Sequence, residues 1–282
     1  MAGMRWESAA EHALKRVPFF VRPLARMKVE ERVGGQGRDR VTLADFQQAE
    51  AAFKALRGGR ADAELARMLP QDNRPGVEMT LLEACRAELA NCPNQLLDTA
   101  PWRESLERWL RDDDVSERLR QRLAEHQVLH HHKLKLSLSG CPNGCSRPQV
   151  ADLALVGLVR PRFDLADCTA CEACAGACPD QAIVMREAGP VWDQDACLGC
   201  RACAGACPAG CISLSDPRVR ILVGGKLGRH PRLAQVVAEA ADPEQALGVL
   251  GPLVEEYLAQ ARPGQRFADW WGQRAAAEPL SR

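Results

Sequence analysis

Residues 133–139, KLKLSLS, alternate strictly between polar residues and leucine. This two-residue period predicts a strand with the leucines on one face and Lys133, Lys135, Ser137 and Ser139 on the other. The strand leads into the turn-forming Cys-Pro-Asn-Gly-Cys of residues 141–145. Its polar face is therefore either a solvated sheet surface or the wall of an anion site beside a metal centre.

Helical spacing predicts a small bundle at the N-terminus. Apolar residues recur at that spacing from Trp6 to Val17, and a second helix is expected to begin at Pro23 and end at the glycine pair 34–35. Thr42 with Asp45 predicts the cap of a third helix. The buried stripe of this helix is expected at Leu43, Phe46, Ala49, Phe53 and Leu56. Residues 60–76 are typical of a connector.

The C-terminal third alternates between strand and helix signals. Val219 to Val223 predicts a strand, and Pro231 is expected to open a helix. Asp242, with Gln245 three residues later, predicts the cap of another helix. Its core stripe is expected at Leu247, Leu250, Val254 and Leu258. The neighbouring Trp270 and Trp271 are expected to pack against the body of the domain.

Composition and charge exclude several classes of protein. The 282 residues carry 37 basic and 37 acidic side chains, so no net charge attracts nucleic acid or an anionic membrane. Neither a signal peptide nor a membrane-spanning run is evident, which predicts a soluble cytoplasmic protein. Only six of the 37 basic residues are lysines, so the pairing of Lys133 with Lys135 on one strand face is unusual.

Thirteen cysteines change this picture. The segments CTACEACAGACP at 168–179 and CLGCRACAGACP at 197–208 agree at nine of twelve positions. Each has the bacterial-ferredoxin spacing C-x2-C-x2-C-x3-C-P, in which the fourth cysteine serves the other [4Fe–4S] cluster. One cluster is expected at Cys168, Cys171, Cys174 and Cys207, and the second at Cys197, Cys200, Cys203 and Cys178.

Residues 182–196, between these two runs, predict a strand, a Gly-Pro turn and a second strand. A zinc ribbon is the alternative reading of separated C-x2-C pairs. Four cysteines within eleven residues, twice over, are too crowded for it. Cys211 follows the second run and is expected to be a small buried thiol, with a ligand role as the alternative.

A further cysteine set is more widely spaced along the chain. Cys85 and Cys92 precede Cys141 and Cys145, and the last pair follows the alternating strand. In HKLKLSLSGCPNGC and the two pairs of cysteines, the chain resembles the siroheme and [4Fe–4S] domain of sulfite and nitrite reductases. The likeness is greatest to the small single-repeat anaerobic and dissimilatory subunits that carry an inserted ferredoxin. Cys85 and Cys92 are separated by six residues, one more than is usual there.

The resemblance implies a fold and a set of site residues. It implies an α+β fold with a siroheme-reductase-like mixed sheet and flanking helices at 75–162 and 216–272, and a ferredoxin inserted at 163–215. Cys85, Cys92, Cys141 and Cys145 would bind a third [4Fe–4S] cluster, with Cys145 bridging to siroheme iron. Lys133 and Lys135 would hold sulfite or nitrite. The carboxylates of siroheme would be met by Arg147, Lys226, Arg229 and Arg232.

The N-terminal segment carries a second resemblance. WESAAEHALKRVPFFVRPLARMKVE and VTLADFQQAEAAF are similar to the small helical domain of a light-independent protochlorophyllide reductase subunit. That enzyme reduces a tetrapyrrole, and siroheme is a tetrapyrrole. A bundle that only docks a partner is the alternative. Residues 1–59 are therefore expected to form a separate helical domain.

Together these features predict an oxidoreductase with three clusters that receives electrons from a donor protein. We expect it to work as a homodimer or beside a partner subunit, because the half-domain that precedes this region in the family has no clear counterpart. The alternative from another class is a non-catalytic electron carrier that has lost siroheme. A maturation or sensing protein is a third alternative, although two adjacent cubanes favour electron flow.

Overall fold

The computed structural model describes residues 4–17, 22–57, 70–87 and 91–277, with the backbone alone for 53–57 and 277. The chain divides into two compact units, 1–70 and 71–282. Each unit has its own buried apolar clusters. Within the described ranges, no helix is both long and apolar enough to cross a membrane.

The described residues of the first unit form three helices and one short parallel strand pair. Its elements are β1 (Arg5–Trp6), α1 (Ser8–Lys15), α2 (Arg22–Gly35), β2 (Arg40–Val41) and α3 (Leu43–Arg57). The predicted cap of α3 is confirmed, because Asp45 accepts from the Thr42 N–H at 2.9 Å while Thr42 Oγ1 accepts from the Asp45 N–H at 3.3 Å. Phe46 is buried, as the stripe predicts. The Phe53 and Leu56 side chains, Pro18 and much of VPFFVR lie outside what the structure describes.

The second unit is built on a mixed five-stranded sheet. Two short strands, β3 (Gln71–Asp72) and β5 (Gln127–Val128), pair beside it. The sheet has the order β13–β12–β7–β6–β4. Its strands are β4 (Thr80–Ala84), β6 (Leu134–Ser139), β7 (Leu153–Leu158), β12 (Arg218–Val223) and β13 (Gln235–Ala240).

Strand direction changes across this sheet. Strands β4, β6 and β7 run parallel to one another, whereas β12 pairs antiparallel with both β7 and β13. The leucine face of β6 joins the main core, as the alternation predicts. That core is completed by helices α4 (Ala100–Asp112), α5 (Val115–Gln121), α8 (Pro243–Gln260) and α9 (Phe267–Ala277). The mixed sheet with flanking helices agrees with the predicted fold class.

Residues 161–214 leave the sheet after β7 and return before β12. The segment is closed at its base by the antiparallel pair β8 (Pro161–Phe163) and β11 (Ile212–Leu214). The predicted hairpin is confirmed as β9 (Ile183–Arg186) paired with β10 (Gly189–Trp192), but the expected Gly-Pro turn is wrong. The turn lies at Glu187 and Ala188, because Gly189 and Pro190 already pair with β9. Two short helices, α6 (Ala173–Gly176) and α7 (Ala202–Ala206), carry part of each cysteine run. The domain boundaries expected for this segment remain a prediction.

Near the C-terminus one prediction is wrong and two are confirmed. Pro231 opens no helix, because residues 235–240 form the edge strand β13, where the β-branched pair Val236–Val237 suits a sheet. The Asp242 cap of α8 is confirmed by its side chain, which accepts from the Gln245 N–H at 2.8 Å. The tryptophan pair is also packed as expected, with Trp270 and Trp271 at 5% and 2% exposure.

Candidate redox centres

Parallel pairing brings two distant cysteines to one edge of the sheet. Ala84 at the end of β4 lies opposite Leu138 of β6, so Cys85 and Cys141 leave the sheet side by side. The Cys85 N–H donates to the Leu138 carbonyl at 2.8 Å. The Gly140 N–H donates to Cys85 Sγ at 3.2 Å. The backbone at the ends of β4 and β6 therefore fixes the position of the Cys85 sulfur.

Cys92 and Cys145, the other two cysteines of this set, both act electrostatically on Cys141. Burial raises the pKa of the Cys141 thiol, and negative charge on Cys145, Cys85 and Cys92 raises it further. Like charges this close are costly unless a cation or a metal cluster compensates them. Cys145 is exposed, whereas the other three are partly buried. Cys145 is therefore the most accessible thiol of the four.

The polar face of β6 lies beneath the CPNGC loop. Ser137 Oγ donates to the Ser146 carbonyl at 2.9 Å, Ser139 Oγ lies 2.6 Å from Ser146 Oγ, and Ser146 Oγ donates to the Leu138 carbonyl at 2.9 Å. Both strand serines are almost fully buried. A solvated sheet face is therefore wrong for this strand, and the residue after Cys145 sits on the face that carries the lysines.

The two lysines continue that buried face. Lys133 is only 2% exposed, and Lys135 is half-buried. Burial lowers the pKa of Lys135, with the charge of Arg266 acting in the same direction and that of Asp152 opposing it. Burial also lowers the pKa of His130, and the charges of both lysines lower it further. Lys135 thus lies among the positive charges of Arg266 and Arg147 and the negative charges of Asp152 and Glu83, and it acts with Lys133 on His130.

Two members of this cluster were not singled out from the sequence. Asp152 is almost fully buried and accepts from the Lys135 N–H at 2.9 Å and the Ala268 N–H at 3.2 Å. A single acid before the apolar run LALVGL was the available signal. Arg266 precedes α9 and acts on Lys135 from a distant part of the chain. No local pattern points to it.

The four cations expected to meet siroheme carboxylates are in different states. Arg147 donates to both carboxylate oxygens of Glu83 at 2.8 and 2.9 Å on an exposed surface. Lys226 pairs with Asp269. Arg232 donates to the Gly224 carbonyl at 3.2 Å and also to the Ala268 carbonyl. Arg229 is exposed.

Residues 161–214 bring several of the ferredoxin-type cysteines close to one another. Burial raises the pKa of Cys174, and the charges of Cys168 and Cys207 raise it further. Burial likewise raises the pKa of Cys203 to about 11, with Cys197 and Cys200 adding to it. A small pocket is lined by Cys168, Cys171, Cys174, Cys207 and also Cys211. Cys178 accepts a hydrogen bond from the Ala182 N–H at 3.3 Å.

The cysteine groups can be compared with what a single metal ion and a [4Fe–4S] cluster each require. Among the described residues, no three His, Cys, Asp or Glu side chains are arranged to hold a single metal ion. A cubane differs, because each of its four thiolates binds its own iron atom. The donor set is all thiolate, which suits iron–sulfur clusters. These residues therefore fit clusters in their chemistry.

Grouped thiols on a mixed sheet define the class as iron–sulfur redox proteins. The family model described as "Nitrite and sulphite reductase 4Fe-4S domain" matches residues 84–276, more than half of the chain. The chain belongs to this family, which supports an iron–sulfur cluster and an oxidoreductase role. A second model, "Proto-chlorophyllide reductase 57 kD subunit", matches residues 6–50.

Curated relatives match parts of the chain. The coenzyme F420-dependent sulfite reductase of Methanocaldococcus jannaschii is 42% identical over 99 residues, which cover 35% of this chain and 16% of that protein. One subunit of the anaerobic sulfite reductase of Salmonella typhimurium is 38% identical over 52 residues, or 18% of this chain and 15% of that protein. The chain thus matches less than a fifth of the length of these relatives.

Among solved structures, dissimilatory sulfite reductase I superposes with a TM-score of 0.47 and 18% identity. The superposition covers 69% of this chain and 50% of that one.

Proposed function

We propose that this chain is the cluster- and siroheme-bearing part of a reductase for a small oxyanion, sulfite or nitrite. In this proposal Cys85, Cys92, Cys141 and Cys145 hold one [4Fe–4S] cluster, and the two ferredoxin-type runs hold two more. When bound, the clusters store electrons and siroheme offers the iron at which the anion is reduced. The residues of the chain bind, orient and protonate that anion.

One observation carries the proposal: the loop bearing Cys145 packs on the polar face of β6 through Ser146, beside the lysines. Lys135 is two residues before Ser137, about 7 Å along the strand, and Ser137 donates to the Ser146 carbonyl. Cys145 and the lysine ammonium groups therefore lie on one side of one strand. This arrangement supports an anion held between a cysteine-bound metal and positively charged proton donors.

The lysines would bind and protonate the substrate. A buried ammonium group (Lys133) and a half-buried one (Lys135) attract an oxyanion more strongly than exposed ones, because less water screens their charge. The lowered pKa of Lys135 makes its proton easier to give to an oxygen that leaves as water. Burial also keeps each ammonium group in place, so no reorganisation is needed during the reaction.

A contact between the second ferredoxin-type run and the loop after Cys92 supports electron transfer from the ferredoxin-type clusters to the third cluster. Arg201 stands between Cys200 and Cys203 in the second ferredoxin-type run, and its guanidinium donates to the Pro93 carbonyl. Pro93 follows Cys92 directly. The Val159 N–H also donates to the Gly199 carbonyl at 3.1 Å, which ties the same loop to the end of β7. The ligands proposed for the second and third clusters therefore belong to touching loops.

A non-catalytic electron carrier is the second candidate. The engagement of Lys226 with Asp269 and of Arg232 with two backbone carbonyls favours it, because neither group is free to meet a carboxylate of siroheme. In that case electrons would leave through the exposed Cys145 region to a partner protein. The donor, and a partner subunit or second copy of the chain, belong to both proposals.

The visible spectrum of anaerobically purified protein separates the two candidates. After expression with ample siroheme, the reductase should show a Soret band and long-wavelength bands above the broad absorbance of clusters. Three cubanes predict about 12 irons per chain and siroheme about one more. A clusters-only spectrum would reject the reductase proposal for this chain by itself.

Cys145→Ser tests the bridging assignment. We expect this variant to lose the siroheme bands and keep the absorbance and iron of both ferredoxin-type clusters, because Cys145 serves only the third site in our proposal. Cys211→Ser is the matched control and should retain siroheme. Siroheme retained at full occupancy in Cys145→Ser would contradict the bridge.

A further inference from the structure

The two cysteine runs are near copies, and they differ just after the shared proline. The first continues as Cys178-Pro-Asp-Gln-Ala182, and the second as Cys207-Pro-Ala-Gly-Cys211. Ala182 and Cys211 are thus equivalent positions, each four residues beyond the last cysteine of its run. A thiol stands at one of them and a methyl group at the other.

The extra thiol points at a proposed cluster ligand. Cys211 Sγ lies 3.3 Å from Cys207 Sγ, within hydrogen-bonding range for sulfur. The Cys211 side chain is buried at 8% exposure. It lines the same small pocket as Cys168, Cys171 and Cys174. At the equivalent place in the first run, the methyl group of Ala182 offers no proton, and Cys178 Sγ accepts from the backbone N–H of that residue.

We propose that the Cys211 thiol donates a hydrogen bond to the sulfur of Cys207 and raises the reduction potential of the cluster at Cys168, Cys171, Cys174 and Cys207. Cys211 is a positioning residue for charge and is not itself a ligand. The proposal rests on the two-cluster part of the proposed function. It goes further by giving the two clusters different potentials from a single side-chain difference.

The direction of the effect follows from charge. A thiolate that binds iron has no proton, so Cys207 can only accept and Cys211 must donate. Reduction adds one electron and makes or breaks no bond with Cys211. The added negative charge strengthens the hydrogen bond, so the reduced state gains more from it than the oxidised state.

Three variants of the full chain test this inference by anaerobic redox titration followed by electron paramagnetic resonance. Cys211→Ala copies the first run and removes the donor, whereas Cys211→Ser keeps a hydroxyl donor. We expect the alanine variant to shift one reduction wave to more negative potential by about 59 mV, a tenfold change in the reduced-to-oxidised ratio for one electron. The serine variant should keep that wave within about a third of this shift. Gly248→Ala, in α8 at a glycine with open space around it, is the control and should shift none.

Other outcomes overturn the inference. An unchanged reduction potential in Cys211→Ala would show that the hydrogen bond from Cys211 does not tune the cluster. A positive shift would indicate water admitted to the pocket, because solvent also stabilises the more charged reduced state. Loss of four irons per chain would make Cys211 a ligand. Iron and sulfide analysis of the unsubstituted chain comes first, because absence of ferredoxin-type clusters there would defeat the proposed function itself.

Discussion

Asp152 is a buried carboxyl whose ionisation is disfavoured in the folded state. Burial raises its pKa to about 6, although the backbone N–H of Lys135 and the charge of Arg266 oppose this. The protonated form is therefore favoured by folding. Its stabilising contribution is complete below the unfolded pKa of about 4 and is lost as the pH rises through 6.

We predict that Asp152→Asn flattens this dependence. For the unsubstituted chain, this carboxyl should lower the free energy of unfolding by roughly 3 kcal/mol between pH 4 and 7, at about 1.4 kcal/mol for each pH unit that separates the folded and unfolded pKa values. The amide of asparagine does not titrate, so the difference between the two proteins should change with pH. Anaerobic urea unfolding followed by tryptophan fluorescence measures the free energy of unfolding at each pH. The same pH dependence in both proteins would contradict the raised pKa of Asp152.

Lys135 lies among charged groups of both signs. Asp152 and Glu83 oppose its loss of a proton, while Arg266 and Arg147 promote it. Replacing it would remove charge from the proposed anion site without touching a cysteine.

Lys135→Met should lower kcat/KM for sulfite or nitrite by about a hundredfold, the usual cost of removing one preorganised charge donor. Iron content and the visible spectrum should stay unchanged. Lys28→Met is the matched control, because Lys28 forms only an exposed pair with Glu31 at 2.8 Å. Equal activity in both variants would show that Lys135 does not touch the anion.

At the scale of elements, the end of β6 depends on a close approach to β7. A Cβ added to Gly157 would stand 2.6 Å from the Gly140 carbonyl oxygen and 2.9 Å from Leu97 Cβ. Gly140 in turn donates to Cys85 Sγ and precedes Cys141. The glycine in β7 therefore lets two strand ends lie close enough to align the third cysteine set.

Gly157→Ala is expected to disturb that set and spare residues 161–214. We predict destabilisation of about 1–3 kcal/mol from overpacking and loss of the iron assigned to the third cluster, read by iron analysis and Mössbauer spectroscopy. Gly248→Ala, in α8 with open space around it, should lose no iron. Full iron content in Gly157→Ala would contradict a shared geometry for Gly140 and Cys141.

At the scale of the whole molecule, the two units have separate cores. The buried cluster of the first unit is formed by residues 10–46, and those of the second by residues 79–271. All thirteen cysteines belong to the second unit. A unit with its own core and all the proposed ligands does not need the helical bundle to fold around clusters.

We predict that residues 71–282 expressed alone retain the iron content and visible spectrum of the full chain. Anaerobic purification followed by iron analysis and near-ultraviolet circular dichroism measures this. The full-length protein prepared in parallel is the reference. Loss of more than about one cubane on truncation would show that the first unit supports a cluster site.

Short-range features of the structure could be predicted from the sequence alone. The alternation of KLKLSLS, the Asp242 and Thr42 caps, and the hairpin between the cysteine runs are short-range patterns, and the structure confirms each. The spacing of the ferredoxin-type cysteines is also a local pattern, and the cluster assignment drawn from it stays a prediction. Such features depend on a few consecutive residues, so their physics is contained in the local sequence.

Tertiary structure decided the contacts between residues that are far apart in the sequence. Residues after Pro231 became an edge strand because β12 offered a partner, which outweighed a helix-opening proline. The polar face of β6 became a buried wall only when Ser146 folded onto it, and Asp152 and Arg266 reached Lys135 from other elements. The sequence alone determined which side chains are candidates for binding iron and anions. Parallel pairing of β4 with β6, which depends on long-range packing, decided that Cys85 and Cys141 meet.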